Sequence, residues 1–335
     1  MPSHRSALTA AHIAAILFGL TGIFGALIHA DAAVITFGRA AFAVAALGVF
    51  ALAQRRPLLR GLHRKQGGVL LATGLLLAAH WITFFIAVKV GGVAVATLGF
   101  ASFPAFIAVL DMLVFRERIG VIETLLLGLV TLGLVLVTPA FDIQARGTVG
   151  LLWGLASGLS FALLAMANRR GTRGLDALAV AFWQNLVVSL VVSLVVSLVV
   201  APCALGIFNT FGTVNTLGTF NTLCTFNTLC TFNTLGTLNT LAPTDWLYLA
   251  LLGVFCTGLA QTLFVKSLES LTARSAGMII ALEPVYAIAC AWWLFGQQPS
   301  WRMLAGAACI MLAIVLAARG KRPAPAPDRP ARAAP

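Results

Sequence analysis

The chain has 335 residues, of which 60% are hydrophobic and only 10% are charged. Soluble domains carry about 25% charged residues, so this composition excludes a soluble enzyme or binding module and indicates a membrane protein with several spans. The net charge of +12 does not indicate nucleic-acid binding, because the basic residues lie in short segments between apolar runs.

Ten apolar runs follow one another along the chain. They lie at 8–28, 32–53, 68–88, 92–115, 121–138, 148–167, 177–200, 245–265, 273–295 and 300–318. A helix needs ~20 residues to cross a bilayer, so the runs predict an all-α membrane protein with ten transmembrane helices. Pro104 falls inside the fourth run, where a membrane helix tolerates it if neighbours or water satisfy the freed carbonyl.

The pattern of the segment 89–119 recurs at 264–297, and a shift of 180 residues aligns 84–117 with 264–297. The matched pairs are Phe84 and Phe264, Ala96 and Ala276, Pro104 and Pro284, Phe115 and Phe295, and Glu117 and Gln297. Such repeats are typical of transporters. Five spans per half is an odd number, so we expect two inverted five-helix repeats, at 8–138 and 148–318.

The basic residues are distributed unevenly between the two sides of the membrane. With the N-terminus in the cytoplasm, 18 of the 22 lie on the inner side and only Lys89, Arg146 and Arg302 lie outside, while Arg39 is within a span. This asymmetry predicts a multi-pass protein of the inner (plasma) membrane with both termini in the cytoplasm. The Pro-, Ala- and Arg-rich tail at 319–335 is predicted to be a disordered cytoplasmic tail.

Low-complexity repeats interrupt the second half. LVVS recurs with period four over 186–200, and an Asn-Thr-Leu unit recurs with period six over 209–241. Thr, Phe and Leu favour strands, so an adhesive outer structure is one interpretation. We favour the other, in which 202–243 is an expanded extracytoplasmic insertion, tolerated because outer loops accept changes.

Three segments carry a family pattern: Arg39 in ITFGRAAFA, the fourth span FASFPAFIAVLDMLVFRERI, and the ninth span ALEPVYAIACAWWLFGQQ. Their order and spacing resemble the EamA-type transporters of the drug/metabolite transporter superfamily over about 8–320, apart from the insertion. The resemblance implies two inverted repeats around a substrate cavity lined mostly by helices one, three, four, six, eight and nine. Gln297 replaces the acidic residue that the family pattern leads one to expect there, whereas the first half keeps Glu117, so a symmetric role for the pair is not implied.

Ionisable residues at membrane depth are candidates for a functional site, because each costs a few kcal/mol there unless it is paired or hydrated. Glu283 lies about ten residues into the ninth span, beside Pro284. A carboxyl there can bind a cationic group or carry a proton, since burial favours its neutral form. A structural carboxyl bonded to a neighbouring helix is the alternative.

His80 and Trp81 lie in the middle of the third span. A histidine at that depth can shuttle protons and a tryptophan can stack on a substrate, although a packing role is the alternative. Asp111 follows Pro104 by seven residues on the same helix face and is a candidate gate partner for the arginines beside Glu117. Pro104 and Glu117 are themselves structural or gating candidates.

Arg39 and Pro284 are also structural or gating candidates, and Arg39 is expected to anchor its helix by snorkelling to the outer interface. Glycines recur on the first and sixth spans. They are Gly19, Gly22 and Gly25, and Gly150, Gly154 and Gly158. The second set predicts a ridge for close helix approach, and the first can permit bending, although packing is the better interpretation of both.

No nucleophile elbow, phosphate-binding glycine loop, ATP-binding motif or metal-ligand spacing occurs in the sequence. We therefore predict a secondary transporter rather than an enzyme, with no catalytic residues, metal or cofactor. It exports small metabolites, amino acids or drug-like compounds by alternating access, with protons as the candidate coupling ion. Its predicted partners are a small-molecule substrate and the lipid bilayer, not nucleic acid. The sequence does not determine the oligomeric state, for which a homodimer is one candidate. A membrane-embedded enzyme and a membrane assembly or structural factor are the alternatives.

Overall fold

The structure is a computed structural model. It describes residues 4–59, 62–115, 121–137, 145–172, 175–204, 241–267, 279, 282–296 and 298–320. Glu117, most of the insertion at 202–243 and all but the first two residues of the tail at 319–335 lie outside these residues, so the predictions about them remain predictions. Pro104 and Asp111 are described by their backbones alone.

Regular structure in the described ranges is entirely helical. The first half contains α1 (His4–Leu27), α2 (Ala32–Ala53), α3 (Arg64–Gly91), α4 (Val93–Phe100), α5 (Phe103–Phe115) and α6 (Val121–Val137). The second half contains α7 (Arg146–Gly171), α8 (Ala177–Ala204), α9 (Pro243–Gly253), a π-helical turn (Val254–Leu259), α10 (Ala260–Ser267), α11 (Glu283–Phe295) and α12 (Trp301–Gly320).

Six helical segments of the described chain are long and apolar enough to cross a membrane. They are Arg5–Leu27, Ala32–Ala53, Arg64–Gly91, Arg146–Asn168, Ala177–Val195 and Pro243–Phe264. Val93–Ile107 and Trp301–Leu316 are apolar but shorter. The prediction of a helical, multi-spanning membrane protein is thus confirmed, whereas the count of ten spans and their inverted arrangement remain predictions.

The fourth predicted span is not one continuous helix. It breaks at Ala101 and Ser102 into α4 and α5, and Pro104 becomes the second residue of α5. A proline nitrogen cannot donate to the preceding turn, but in the first turn of a helix that donor would be unused anyway. The expectation that Pro104 lies in a helix interior was therefore wrong, because the chain starts a new helix instead.

Helices α5 and α11 support the internal repeat. Each has 13 residues, each has proline as its second residue, and each ends at phenylalanine. The same shift of 180 residues that aligns the sequences also aligns both ends of the two helices. The repeat therefore extends from sequence to local structure.

The predicted glycine ridge on α7 is confirmed. A Cβ atom on Gly150 would lie 2.5 Å from the Cα of Gly91, and one on Gly154 would lie 3.1 Å from the Cα of Gly99. A Cβ on Gly158 would lie 2.9 Å from Oγ of Ser102 and 3.0 Å from the carbonyl oxygen of Phe100 at the end of α4. The absence of side chains lets α7 pack backbone to backbone against α3 and α4, as small residues do in membrane helices.

The glycines of α1 also serve packing, and α1 runs without interruption. Each glycine meets a different neighbour: Tyr286 of α11 at Gly19, Val93 of α4 at Gly22, and Phe85 of α3 at Gly25. Because the set turns around the helix, α1 touches three elements at once. The packing interpretation of this set is therefore supported.

Candidate functional site

A buried cation lies within the helix bundle. Arg39 of α2 is only 4% exposed, and its Nε donates a hydrogen bond of 2.7 Å to Oγ1 of Thr257. Its guanidinium carbon lies 4.0 Å from the ring centroid of Trp81 and 5.8 Å from that of Phe85. The expected snorkelling of Arg39 to the outer interface was wrong, because the hydroxyl and the ring faces hold it inside the bundle.

The partner Thr257 comes from the π-helical turn between α9 and α10. Its hydroxyl also donates to the carbonyl of Leu252, five residues earlier, at 3.0 Å. Gly253 brings this segment against α2, since a Cβ there would lie 2.7 Å from the carbonyl oxygen of Arg39. Single π-helical turns inside helices are frequent at functional sites, and here the turn presents a hydroxyl to a buried guanidinium.

His80 and Trp81 are neighbours in sequence but face different helices. Successive helix residues diverge by about 100°, so Trp81 meets Arg39 of α2 while His80 meets Ser157 of α7. The Nδ1 of His80 lies 2.8 Å from Oγ of Ser157, which in turn donates to the His80 carbonyl at 3.1 Å. The Ser157 hydroxyl therefore lies within hydrogen-bond distance of both the ring and the backbone of His80 and joins α7 to α3.

His80 is also enclosed by an aromatic cluster. The cluster consists of Phe84, Phe100, Phe103 and Phe161, from α3, α4, α5 and α7. The His80 ring centroid lies 5.0 Å from that of Phe100 and 5.1 Å from that of Phe161. These contacts are those of a packed histidine, and a role as proton shuttle remains a prediction.

Glu283 is the first residue of α11, and its side chain is half-buried. Its carboxyl attracts the Arg39 guanidinium electrostatically, but the described chain contains neither an ion pair within 4.0 Å nor a hydrogen bond between them. The start of α11 also supplies the positive end of a helix dipole, which favours a carboxylate. The structure thus relates two predicted residues, Arg39 and Glu283, whose interaction was not predicted.

A cluster of ionisable residues that the sequence analysis did not predict lies where several helices end, on the side predicted to face outward. This outer-end cluster consists of His29, Asp31, Lys89 and Asp245. The carboxylate of Asp245 is buried and accepts a hydrogen bond of 2.9 Å from the backbone N–H of His29, and Lys89 donates to the carbonyl of Ile28. The cluster therefore ties together the ends of α1, α3 and α9.

Asp31 caps α2 within the outer-end cluster. Its carboxylate accepts a hydrogen bond of 2.8 Å from the backbone N–H of Val34, as is typical of helix N-caps. Burial raises the pKa of Asp31 above its ordinary value of 3.8, and the hydrogen bonds and the nearby Lys89 offset this only in part. The sequence showed only that Asp31, Lys89 and Asp245 each lie at the end of a predicted span. Their contacts could not be predicted, because the three residues are far apart in the chain.

These observations define a helical membrane protein with buried charged residues inside its spans. The model of the EamA-like transporter family matches the chain at residues 5–138 and again at 204–319. The chain therefore belongs to the EamA-like transporter family, within the drug/metabolite transporter superfamily, and the resemblance inferred from the sequence is confirmed.

The overall fold is similar to that of a solved chain described only as "Crystal structure of protein". The two are 17% identical, the match covers 94% of this chain and 97% of the other, and the TM-score is 0.58. At this identity the likeness concerns the fold alone. No curated protein sequence matches this chain.

Proposed function

We propose that the protein is a secondary transporter of the inner (plasma) membrane that exports a small metabolite, amino acid or drug-like compound by alternating access. Membership of a transporter family supports the general class. The observation that carries the proposal is the buried guanidinium of Arg39 and the half-buried carboxyl of Glu283, which attract each other without forming an ion pair within 4.0 Å. Charges inside membrane spans are expensive and mark substrate or ion pathways.

Proton coupling is assigned to Glu283. Export driven by an inward proton gradient is coupled if substrate and proton compete for one group, so that each leaves when the other binds. A half-buried carboxyl at the start of α11 can do this, because hydration favours its charged form and occlusion its neutral form. The cation that attracts this carboxyl is Arg39 of α2. In α11 itself, Oη of Tyr286 lies 3.5 Å from Nδ1 of His12 in α1.

The moving parts are proposed to be the two repeats, 8–138 and 148–318, in opposite orientations and with both termini in the cytoplasm. Rocking of one half against the other opens the site to each side in turn. Pro104 and Pro284 permit local adjustment at the starts of α5 and α11, and Asp111 and Glu117 act at the cytoplasmic gate. Trp81 orients Arg39, while His80 is a second candidate proton carrier.

The proposal is tested with purified protein in proteoliposomes. Individual compounds from a metabolite panel are added to the vesicles. The accumulation of each compound inside the vesicles is followed with and without an imposed pH gradient. We expect at least one compound to accumulate against its concentration gradient only when the pH gradient is present. If no compound exchanges or accumulates, the protein is not a secondary transporter of such compounds.

A further inference from the structure

A narrow crevice opens between α4, α11 and α12. It has a volume of about 200 Å³, and its walls are mostly apolar side chains. They include Ala94 and Val95 of α4, Ile288 and Ala291 of α11, and Met303 of α12. Sites for drug-sized ligands have volumes of roughly 300–1,000 Å³, so this crevice suits a slender apolar chain better than a compact polar compound.

Exposed tryptophans place the mouth of the crevice at the level of the lipid headgroups. Trp292, Trp293 and Trp301 are 55%, 83% and 86% exposed. They flank the loop between α11 and α12, which contributes Gln298 to the crevice. Tryptophans are concentrated where a membrane protein meets the headgroup layer, because the ring is apolar and its N–H is polar. The crevice runs from this layer into the span, since Ile288 lies about two turns before the end of α11.

Two arginines begin the helices that border the crevice on the same side. Arg302 is exposed and is the second residue of α12, directly before Met303 in the crevice wall. Arg146 is exposed and is the first residue of α7. Helix α7 reaches the crevice about one turn later, where a Cβ on Gly150 would lie 2.5 Å from the Cα of the lining residue Gly91. Within the part of the chain that the structure describes, the ion pairs involve neither arginine.

From this arrangement we propose that the crevice binds an anionic phospholipid of the leaflet on the predicted outer side. One acyl chain lies between α4, α11 and α12, and the phosphate lies beside Arg302 and Arg146, with the amide of Gln298 as a further donor. An acyl chain gains packing but no hydrophobic free energy by leaving the bilayer, so selectivity comes from the charge of the headgroup. The lipid is a structural ligand, and its binding does not depend on which compound the protein transports.

The test is site-specific photolabelling of the full-length protein in detergent, after copurified lipid has been removed. The probes are phosphatidylglycerol and phosphatidylcholine that carry the same photoreactive acyl chain, and the labelled residues are identified by mass spectrometry. Labelling of Ile288 and Met303 is divided by labelling of Leu132, an exposed apolar residue of α6 that reports unspecific lipid contact. We expect this ratio to be about fivefold or more larger for phosphatidylglycerol, since one basic residue at the membrane surface contributes about that factor.

Variants assign the selectivity to the crevice. Arg302→Gln and Arg146→Gln should each lower the ratio for phosphatidylglycerol severalfold and leave the ratio for phosphatidylcholine unchanged. Arg64→Gln is the matched control and should change neither ratio, because it removes an exposed arginine at the start of α3, on the side predicted to face the cytoplasm. Ala94→Phe should fill the crevice and reduce the ratio for both lipids. If Ala94→Phe does not fold, the two arginine variants decide the question.

Three results would overturn the proposal: phosphatidylcholine labels the crevice as strongly as phosphatidylglycerol, neither arginine variant lowers the ratio, or neither lipid labels Ile288 or Met303. The first result would show an apolar crevice that does not recognise headgroups. The second would show that the arginines do not hold the phosphate. The third would show that the crevice is closed to lipid or covered by a second copy of the chain.

Discussion

Replacing Gly150 with alanine should force α3 and α7 apart. A Cβ at this position would lie 2.5 Å from the Cα and 2.7 Å from the nitrogen of Gly91, both of them backbone atoms. Nonbonded carbons prefer a separation of roughly 3.6 Å, so the helices must separate by about 1 Å. Backbone atoms cannot rotate away, and overpacking of this kind costs about 1–3 kcal/mol.

The measured quantity is the apparent Tm of the purified protein in detergent, which is monitored as the loss of the monodisperse peak after heating. Gly128→Ala in α6 is the matched control, because a Cβ there meets nothing within 4 Å. Gly154→Ala should have an intermediate effect, since its closest contacts are at 3.1 Å. We expect Gly150→Ala to lower the Tm most, by about 2 °C or more, and Gly128→Ala to leave it unchanged or raised.

Equal Tm values for Gly150→Ala and Gly128→Ala would refute the reasoning, because they would show that α3 and α7 do not meet backbone to backbone. Transport activity is a second readout, which connects the packing of α3 and α7 with the candidate site. His80 of α3 and Ser157 of α7 are joined by a hydrogen bond of 2.8 Å, so separating the helices should also reduce transport.

The remaining predictions concern coupling, topology and pH. Glu283→Gln cannot titrate, so it should lose gradient-driven accumulation in proteoliposomes yet retain part of the substrate exchange; full pH-dependent transport would return Glu283 to a structural role. An impermeant maleimide added to intact cells should react with a cysteine placed beside Arg146 but not with one placed beside Arg60. Labelling near Arg60 would contradict the predicted topology. Because burial raises the pKa of Asp31, its contribution to stability is present at low pH and lost as the pH rises through the raised value, so Asp31→Asn should weaken the pH dependence of unfolding above pH 3.8. A pH profile identical to that of the unsubstituted protein would show that Asp31 does not titrate in this way.

The long helices could be predicted from the sequence, because the apolar length of a run is set by the bilayer it must cross. The run at 32–53 coincides with α2 (Ala32–Ala53), and the run at 177–200 lies within α8 (Ala177–Ala204). The repeat was also detectable, since several residues recur at a constant shift of 180 residues. Hydropathy alone did not reveal the break before Pro104, because the residues on both sides of it are apolar.

The environment of Arg39 could not be predicted. Its acceptor, Thr257, is 218 residues away, and the chain contains many hydroxyls that could have served equally well. The different directions of His80 and Trp81 could have been predicted from the angle between successive helix residues. Their partners depend on tertiary packing, which no local pattern encodes.

The π-helical turn at Val254–Leu259 makes the site depend on the number of residues as well as on their identity. A π turn accommodates one more residue than an α-helix of the same rise, so deleting any residue here would let a regular α-helix form. The shortened segment would keep α10 in register with α9 but would lose the wider turn from which Thr257 reaches Arg39. Length changes in this turn should therefore be rejected in evolution even where substitutions are accepted, whereas the insertion predicted at 202–243 is expected to tolerate changes of length.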